Sequence, residues 1–458
     1  MKEDELLDAI GNVNEKYINK ASDSAGRKPG YIRWPVIAAA MILVITIGVL
    51  FKTGVIKNPA GLNVKAADLM EGITAKDVIV NKSVKEYSSD ISDFSVRLFK
   101  KCIENDENGR NTLVSPLSVL LALSLTANGA QGVTLSQMED VLGMSAPELN
   151  EFAYSYLKAL PGDTQFSGAL ELADSIWFRK DPDFTVSRDF LQVNADHYNA
   201  DIYAAPFDTS TVNDINNWVN QKTKGMIPEV IDGISDNALM YLINALSFDA
   251  EWVNAYNSYQ VRSDIFTTND GIKKTVSYLN SSEKLYLEDE NAVGFIKYYK
   301  GKRYAFVAIL PNEGITPQEY LNTVDGEHIS DMLDGAKQCE VNASLPKFKT
   351  EYSADMTELL KIMGMSLAFD ENKADLGKIG SYKNNNLYIN GVFHKTFIAV
   401  DENGTKAGAV SMITMVPGAM PPDEKPKEVY LTRPFIYMLI DCEANIPFFI
   451  GVMNDPEE

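Results

Sequence analysis

Little in this sequence can hold a metal or run a proton relay. It has three histidines, His197, His328 and His394, and three cysteines, Cys102, Cys339 and Cys442. Three cysteines cannot all pair, and these stand far apart, which argues against a disulfide scaffold and a cysteine-based metal site. No HExxH, GxSxG, Walker A or GxGxxG motif occurs, so nothing in the chain asks for an enzyme, and no cofactor is implied. Basic residues are also short: 42 Lys and Arg stand against 63 Asp and Glu, a formal charge of −21. A nucleic-acid binder would show a basic stripe instead. The acidity reads as a solubility device.

What is present falls into zones. Residues 1–33 mix six acidic with six basic side chains, and Leu6, Ile10, Val13 and Tyr17 recur at spacings of four, three and four. That is a helical stripe, read as a short amphipathic cytoplasmic segment, with a docking helix for an intracellular partner as the alternative. Residues 34–51, "WPVIAAAMILVITIGVLF", carry no charge. Eighteen residues at helical rise just span the hydrocarbon core, and Trp34 stands where an interfacial aromatic belongs. A cleaved signal peptide would need a 33-residue charged leader, so the reading is an uncleaved signal-anchor. Lys20, Arg27, Lys28 and Arg33 precede it, and Lys52, Lys57 and Lys65 follow. This asymmetry favours a single-pass cell-membrane protein with its N-terminus in the cytoplasm and its large domain extracellular. Residues 52–82 are aperiodic and read as a linker.

From residue 83 to residue 458 helix-like and strand-like signals alternate, which predicts one α+β domain. "SADMTELLKIMGM" predicts a helix capped by Ser353, with Met356, Leu359, Leu360 and Met363 on one face. "NNLYINGVFHKTFIAVD" is β-rich, and "YMLID" and "PFFIGVM" read as short apolar strands.

"NTLVSPLSVLLALSLTANGAQGVTLSQMEDVLG" (111–143) resembles a helical segment of the serpins. "FDTSTVNDINNWVNQKTKGMIPEVI" (207–231), "MYLINALSFDAEW" (240–252), "LPKFKTEYSADMTELLKIMGM" (345–365), "HKTFIAVDENGT" (394–405), "RPFIYMLID" (433–441) and "PFFIGVMNDP" (447–456) resemble further serpin segments, in the family's order. The resemblance covers essentially all of 83–456 and none of 1–82. It implies a large central, mostly antiparallel sheet, two smaller sheets and eight to nine helices. It implies a monomer that traps an extracellular serine protease, or in some members a cysteine protease, as a covalent complex. The protease is acylated at a bait bond, and the freed loop then inserts as a new strand of the central sheet.

The stretch from Gly404 to Ser411 suits such a strand. Alternate side chains of a strand share a face, and the resemblance turns Thr405, Ala407, Ala409 and Ser411 inward, all small and uncharged. Glu402, Gly404, Thr405, Ala407, Gly408 and Ala409 thereby form the hinge, with Gly404 as pivot. Lys406 departs from the family, which usually has an acid there. Counting sixteen residues from Glu402 places the bait bond at Gly418–Ala419, with cuts after Met415, Ala419 or Met420 left open. A small residue there suits an elastase-like or subtilisin-like pocket and not a trypsin-like one.

The resemblance also assigns Ser115, Ser118, Asn244 and His394 to a buried polar gate where the sheet opens, and Trp252 to the top of the sheet where insertion begins. The rival reading is a non-inhibitory serpin acting as a binding or chaperone-like module. Such members carry bulky, charged or proline residues in the hinge, which 404–411 lacks apart from Lys406. Asn81, Asn280, Asn342 and Asn403 each head an Asn-x-Ser/Thr sequon. A glycan on Asn403 would obstruct the hinge, so export without N-glycosylation, as in many bacteria, is the expectation.

Overall fold

The computed structural model describes residues 64–105, 109–160, 169–383, 386–405 and 425–457. The chain divides into two units, Met1–Gly61 and Leu62–Glu458. The first lies outside the described residues, as do Ala407, Gly408, Ala409 and the bond Gly418–Ala419. Among the described residues no helix is long and apolar enough to cross a membrane; the 34–51 run lies outside them.

Nine α-helices are formed among the described residues: α1 (Ser88–Glu104), α2 (Pro116–Ala127), α3 (Gly132–Leu142), α4 (Ala146–Ala159), α5 (Arg188–Tyr198), α6 (Thr209–Lys222), α7 (Pro317–Thr323), α8 (Gly326–Asp334) and α9 (Thr357–Met363). The strands are β1 (Ala67–Asp68), β2 (Thr112–Val114), β3 (Ala169–Arg179), β4 (Phe184–Val186), β5 (Asp201–Ala205), β6 (Met240–Glu251), β7 (Val261–Thr267), β8 (Lys273–Glu288), β9 (Ala292–Tyr298), β10 (Tyr304–Pro311), β11 (Lys337–Pro346), β12 (Phe348–Asp355), β13 (Gly380–Tyr382), β14 (Gly391–Val400), β15 (Gly404–Thr405), β16 (Lys427–Tyr430), β17 (Phe435–Asp441) and β18 (Ile446–Met453).

The central sheet has seven strands in the order β1-β5-β3-β6-β15-β14-β12. It is mostly antiparallel, with parallel pairs at β3–β5 and β6–β14. The two smaller sheets expected from the resemblance are not separate. β8 runs for 16 residues. Its first half pairs with β7, its second half with β9, and β11 lies along its other side. One nine-stranded sheet results, and a two-stranded sheet, β4–β13, stands apart from it.

β6 shows why the central sheet needs two covers. Leu242, Leu246 and Phe248 face the main core, while Tyr241, Ile243 and Ala245 face a second core under α6, built on Trp177, Tyr203 and Trp218. A strand buried on both faces loses the polar alternation of a half-solvated one, hence the run "MYLINALSF". α2 is buried on every side behind the sheet, so it carries no amphipathic stripe. Aromatic edges join the two large sheets: Phe248 meets Tyr299, Tyr304 and Phe448 at centroid distances of 4.9–5.4 Å.

Ser353 does not cap a helix. β12 continues through it to Asp355, in register with β14, and the helix begins at Thr357. Asp355 Oδ1 instead accepts the Thr357 N–H at 2.9 Å. Ladder bonding to a neighbouring strand outweighed a local capping signal.

Residues 64–82, within the span read as a linker, run along the body. The N–H groups of Lys65 and Ala66 donate to Asp214 at 3.0 and 2.9 Å. β1 pairs with β5, and the Lys82 N–H donates to Glu151 at 2.8 Å.

Candidate functional site: a seam closed by a polar pair and entered by a hinge

β6 and β14 lie side by side in parallel from Tyr241↔Gly391 to Ala245↔Lys395. Above that point their ladder stops. β15 enters between them at the top, with Thr405 opposite both Ala250 of β6 and Val400 of β14. The chain turns back from β14 on Asp401, whose Oδ1 accepts the N–H groups of Asn403 at 2.7 Å and Gly404 at 3.2 Å.

Two residues let this segment fit. A Cβ on Gly404 would stand 2.0 Å from the Ala250 carbonyl oxygen, so Gly404 is required by close backbone approach in addition to any pivoting. Thr405 is 1% exposed, and its hydroxyl is hydrogen-bonded to that of Tyr299. A buried hydroxyl with a partner avoids the penalty of an unsatisfied group.

Residues 401–403 are held from one side by hydrogen bonds. The backbone N–H of Trp252 donates to Asn403 O and that of Tyr256 to Glu402 O, both at 2.8 Å. The Trp252 indole N–H donates to Asp401 O at 2.9 Å. The indole stacks on Tyr299 with centroids 4.4 Å apart and planes at 14°. Behind it lies a buried ion pair, Lys297–Glu283 at 2.8 Å. The Lys297 ammonium stands 5.3 Å from the Trp252 ring centroid and 4.4 Å from that of Tyr256. From the other side Lys347 pairs with Glu402 at 2.8 Å, and this bond holds the Glu402 carboxyl below its ordinary range.

Deeper in the sheet His394 of β14 stands directly opposite Asn244 of β6. The Ser115 N–H donates to His394 Nε2 at 3.1 Å. A backbone N–H can only donate, so Nε2 is unprotonated and Nδ1 carries the hydrogen. Nδ1–H therefore donates to Asn244 Oδ1, at 2.7 Å. Burial pushes the imidazole down to about 3, so it is neutral at physiological pH.

The five gate residues named from sequence are thus divided. Ser115, Asn244 and His394 form one chain across the seam. Ser118 is the third residue of the α2 start, its N–H donating to Ser115 Oγ at 3.4 Å, while its own hydroxyl is buried with no partner among the described residues. Trp252 lies one residue past the end of β6, eight residues from Asn244 or about 26 Å at strand rise, and holds Asp401 and Asn403. Tyr299 and Lys347 were not singled out from sequence. Each reads locally as an ordinary strand residue, and only pairing across chain separations of more than fifty residues brings them to the hinge.

The geometry thus shows a two-residue strand, β15, seated between β6 and β14 beyond the end of their own ladder. Comparison with known proteins accords with that geometry. The family model described as "Serpin (serine protease inhibitor)" matches residues 89–456. An uncharacterised serpin-like protein of Thermococcus kodakarensis is 27% identical over 394 residues, covering 84% of this chain and 89% of its own. The leukocyte elastase inhibitor of Xenopus tropicalis is 30% identical over 386 residues, covering 81% of this chain and 100% of its own. Among solved structures, the thermophilic serpin tengpin in its native state aligns with a TM-score of 0.80 at 47% identity, over 86% of this chain and 100% of that one. Tengpin in its latent state gives 0.72 at 45% identity, over 83% and 100%. A family match over most of the chain, joined to this sheet architecture, leads to one conclusion: the chain belongs to the serpin family.

Proposed function

We propose that this serpin is inhibitory, a suicide substrate for an extracellular serine protease. The observation that carries the reading is the seating of Gly404 and Thr405 between β6 and β14. On insertion in that same register, residue 407 would come opposite Phe248, 409 opposite Leu246, 411 between Asn244 and His394, and 415 opposite Met240 at the far end of β6. Ala407, Ala409 and Ser411 then share the inward face with Thr405, and none brings bulk or charge. Lys406 takes the other face.

Attack on the Gly418–Ala419 bond forms an ester between the Gly418 carbonyl and the protease serine and releases the Ala419 amine. Threading residues 405–415 into the sheet then moves the ester by about 35 Å. Each added ladder bond contributes on the order of 1 kcal/mol. The relatives named leukocyte elastase inhibitor accord with an elastase-like target, as does a glycine before the bond; a subtilisin-like target, or a cysteine protease, falls within the same reading. Residues 34–51 would tether the domain to the cell membrane, with 1–33 inside and the trap outside. The domain acts as a monomer.

The test is incubation with pancreatic elastase and with subtilisin. An inhibitor yields an adduct that survives boiling in detergent, and a released peptide whose sequence begins at Ala419. Cleavage without an adduct would transfer the chain to the non-inhibitory, binding-module class.

A further inference from the structure

Asp174 is an acid that loop insertion does not use. It stands on β3 directly opposite Asn244, which stands opposite His394. The three side chains form one row across β3, β6 and β14, on the face toward the main core. The row is hydrogen-bonded at one end only. Asn244 accepts from His394, but its Nδ2 is buried without an acceptor, and Asp174 Oδ1 is buried without a donor. Directly opposed residues have Cβ atoms about 4.5–5.5 Å apart, so these two orphan groups are neighbours. Burial alone raises the Asp174 carboxyl well above its ordinary range; no cation or hydrogen bond offsets it. Asp174 as a whole is half-buried, and its buried Oδ1, left unsatisfied in a native sheet, calls for an absent partner.

Asp174 also lines a cleft of about 640 Å³ between β3, α4 and α5, within the size range of small-molecule sites. Leu157 and Leu172 line it too, together with Tyr154 and Tyr198. Lys76 and Lys158 line the cleft as well, beside Asp77, Glu171 and Asp196, but neither lysine offsets the burial of Asp174. Lys158 pairs with Asp77 at 3.5 Å and lies over the Tyr154 ring. His197 Nδ1 is engaged with Asn150 O, and burial lowers its pKa. Among the described residues no group of three or more His, Cys, Asp or Glu could hold a metal. What Asp174 lacks is a positive charge with hydrogen-bond donors within its own reach. What the cleft offers besides is apolar and aromatic wall, which favours an ammonium with a hydrophobic body.

We propose that this cleft binds a small organic amine, with its ammonium on Asp174 and its apolar body against Leu157, Leu172 and the tyrosines. The bound ammonium keeps Asp174 ionised, and the carboxylate then accepts from Asn244 Nδ2–H. That completes the row and holds Asn244 Oδ1 on His394 across the seam. The link to loop insertion rests on the inhibitory reading; the binding site does not.

The experiment uses the full chain without protease. Phenethylamine is titrated by calorimetry, with 3-phenylpropionate as a probe of like shape and opposite charge. Saturable one-to-one binding of the amine is expected. Affinity should fall at least tenfold in Asp174→Asn, and the acid should not bind. Leu157→Lys places an ammonium in the cleft from the opposite wall and should abolish binding with the fold kept. In side-chain amide NMR spectra the amine should move the Asn244 resonances in the wild type and not in Asp174→Asn. Absence of saturable amine binding, equal binding by Asp174→Asn, or equal binding of the acid would overturn the proposal. Failure to trap a protease would leave these readouts unchanged and would count against the inhibitory reading alone.

Discussion

Thr405 and Tyr299 share a hydrogen bond between their hydroxyls inside the top of the central sheet. Gly404 and Thr405 are both buried there. Replacing Thr405 by arginine would force a charge into that position, at a cost of several kcal/mol. Because Thr405 is already buried in the intact chain, Thr405→Arg should expel residues 404–405 from the sheet and lower the melting temperature, while the loop is still cleaved. The fraction of protease recovered as detergent-stable adduct should drop to near zero, and an unchanged adduct yield would show that the cleaved loop does not enter the sheet.

Tyr299→Phe removes only the hydroxyl, leaving Thr405 Oγ1 buried without its partner. A cost of about 1–3 kcal/mol follows. Because the aromatic stack on Trp252 survives, the effect should be confined to the hinge. Hydrogen exchange at the Thr405 amide should quicken markedly, while exchange in β17 and β18 stays as in the wild type.

Lys347 holds the Glu402 carboxyl below its ordinary value of 4.5. A carboxyl with a lowered folded-state pKa contributes stability at neutral pH and loses it as the pH falls through that pKa. The grip on the hinge should therefore weaken below about pH 4.5. Lys347→Ala should weaken it at pH 7. On warming, the variant should lose its capacity to form adduct faster than the wild type, followed as the active fraction remaining over time.

His394 has the opposite chemistry and the same sign. Its native pKa is about 3 against 6.5 in the unfolded chain. Below pH 6.5 the unfolded chain takes up a proton that the buried ring refuses, so stability declines at roughly 1.4 kcal/mol per pH unit. Between pH 6.5 and 5 the loss is about 2 kcal/mol. Denaturant midpoints at the two pH values should differ by this amount more in the wild type than in His394→Gln. The variant comparison matters because His197 is also shifted down by burial and adds a slope of its own.

Cutting the loop tests metastability without a protease partner. If residues 405–415 complete the sheet, cleavage between 415 and 420 should raise the melting temperature by tens of degrees, since about ten new ladder bonds at roughly 1 kcal/mol each are gained. Cleaved and intact chains that melt together would favour the binding-module reading.

The sequence determined a good deal by itself. The ordered segments from 111 to 456 marked the family, whose model matches residues 89–456. "YMLID" and "PFFIGVM" did become β17 and β18, and the β-rich stretch became β14, since short apolar runs have few other uses. Other features depended on partners distant in the chain. Ser353 looks like a cap until β12 pairs with β14 through Asp355. The joining of two sheets through β8 depends on three neighbours that no local pattern names. That Gly404 must lack a side chain because of Ala250 O, that Trp252 holds Asp401 and Asn403 while His394 closes the seam, and that Asp174 ends a row begun at Ser115 are all facts of register. Local sequence encodes which faces are buried. Strand register decides which residues meet there, and it is settled only when the whole sheet is assembled.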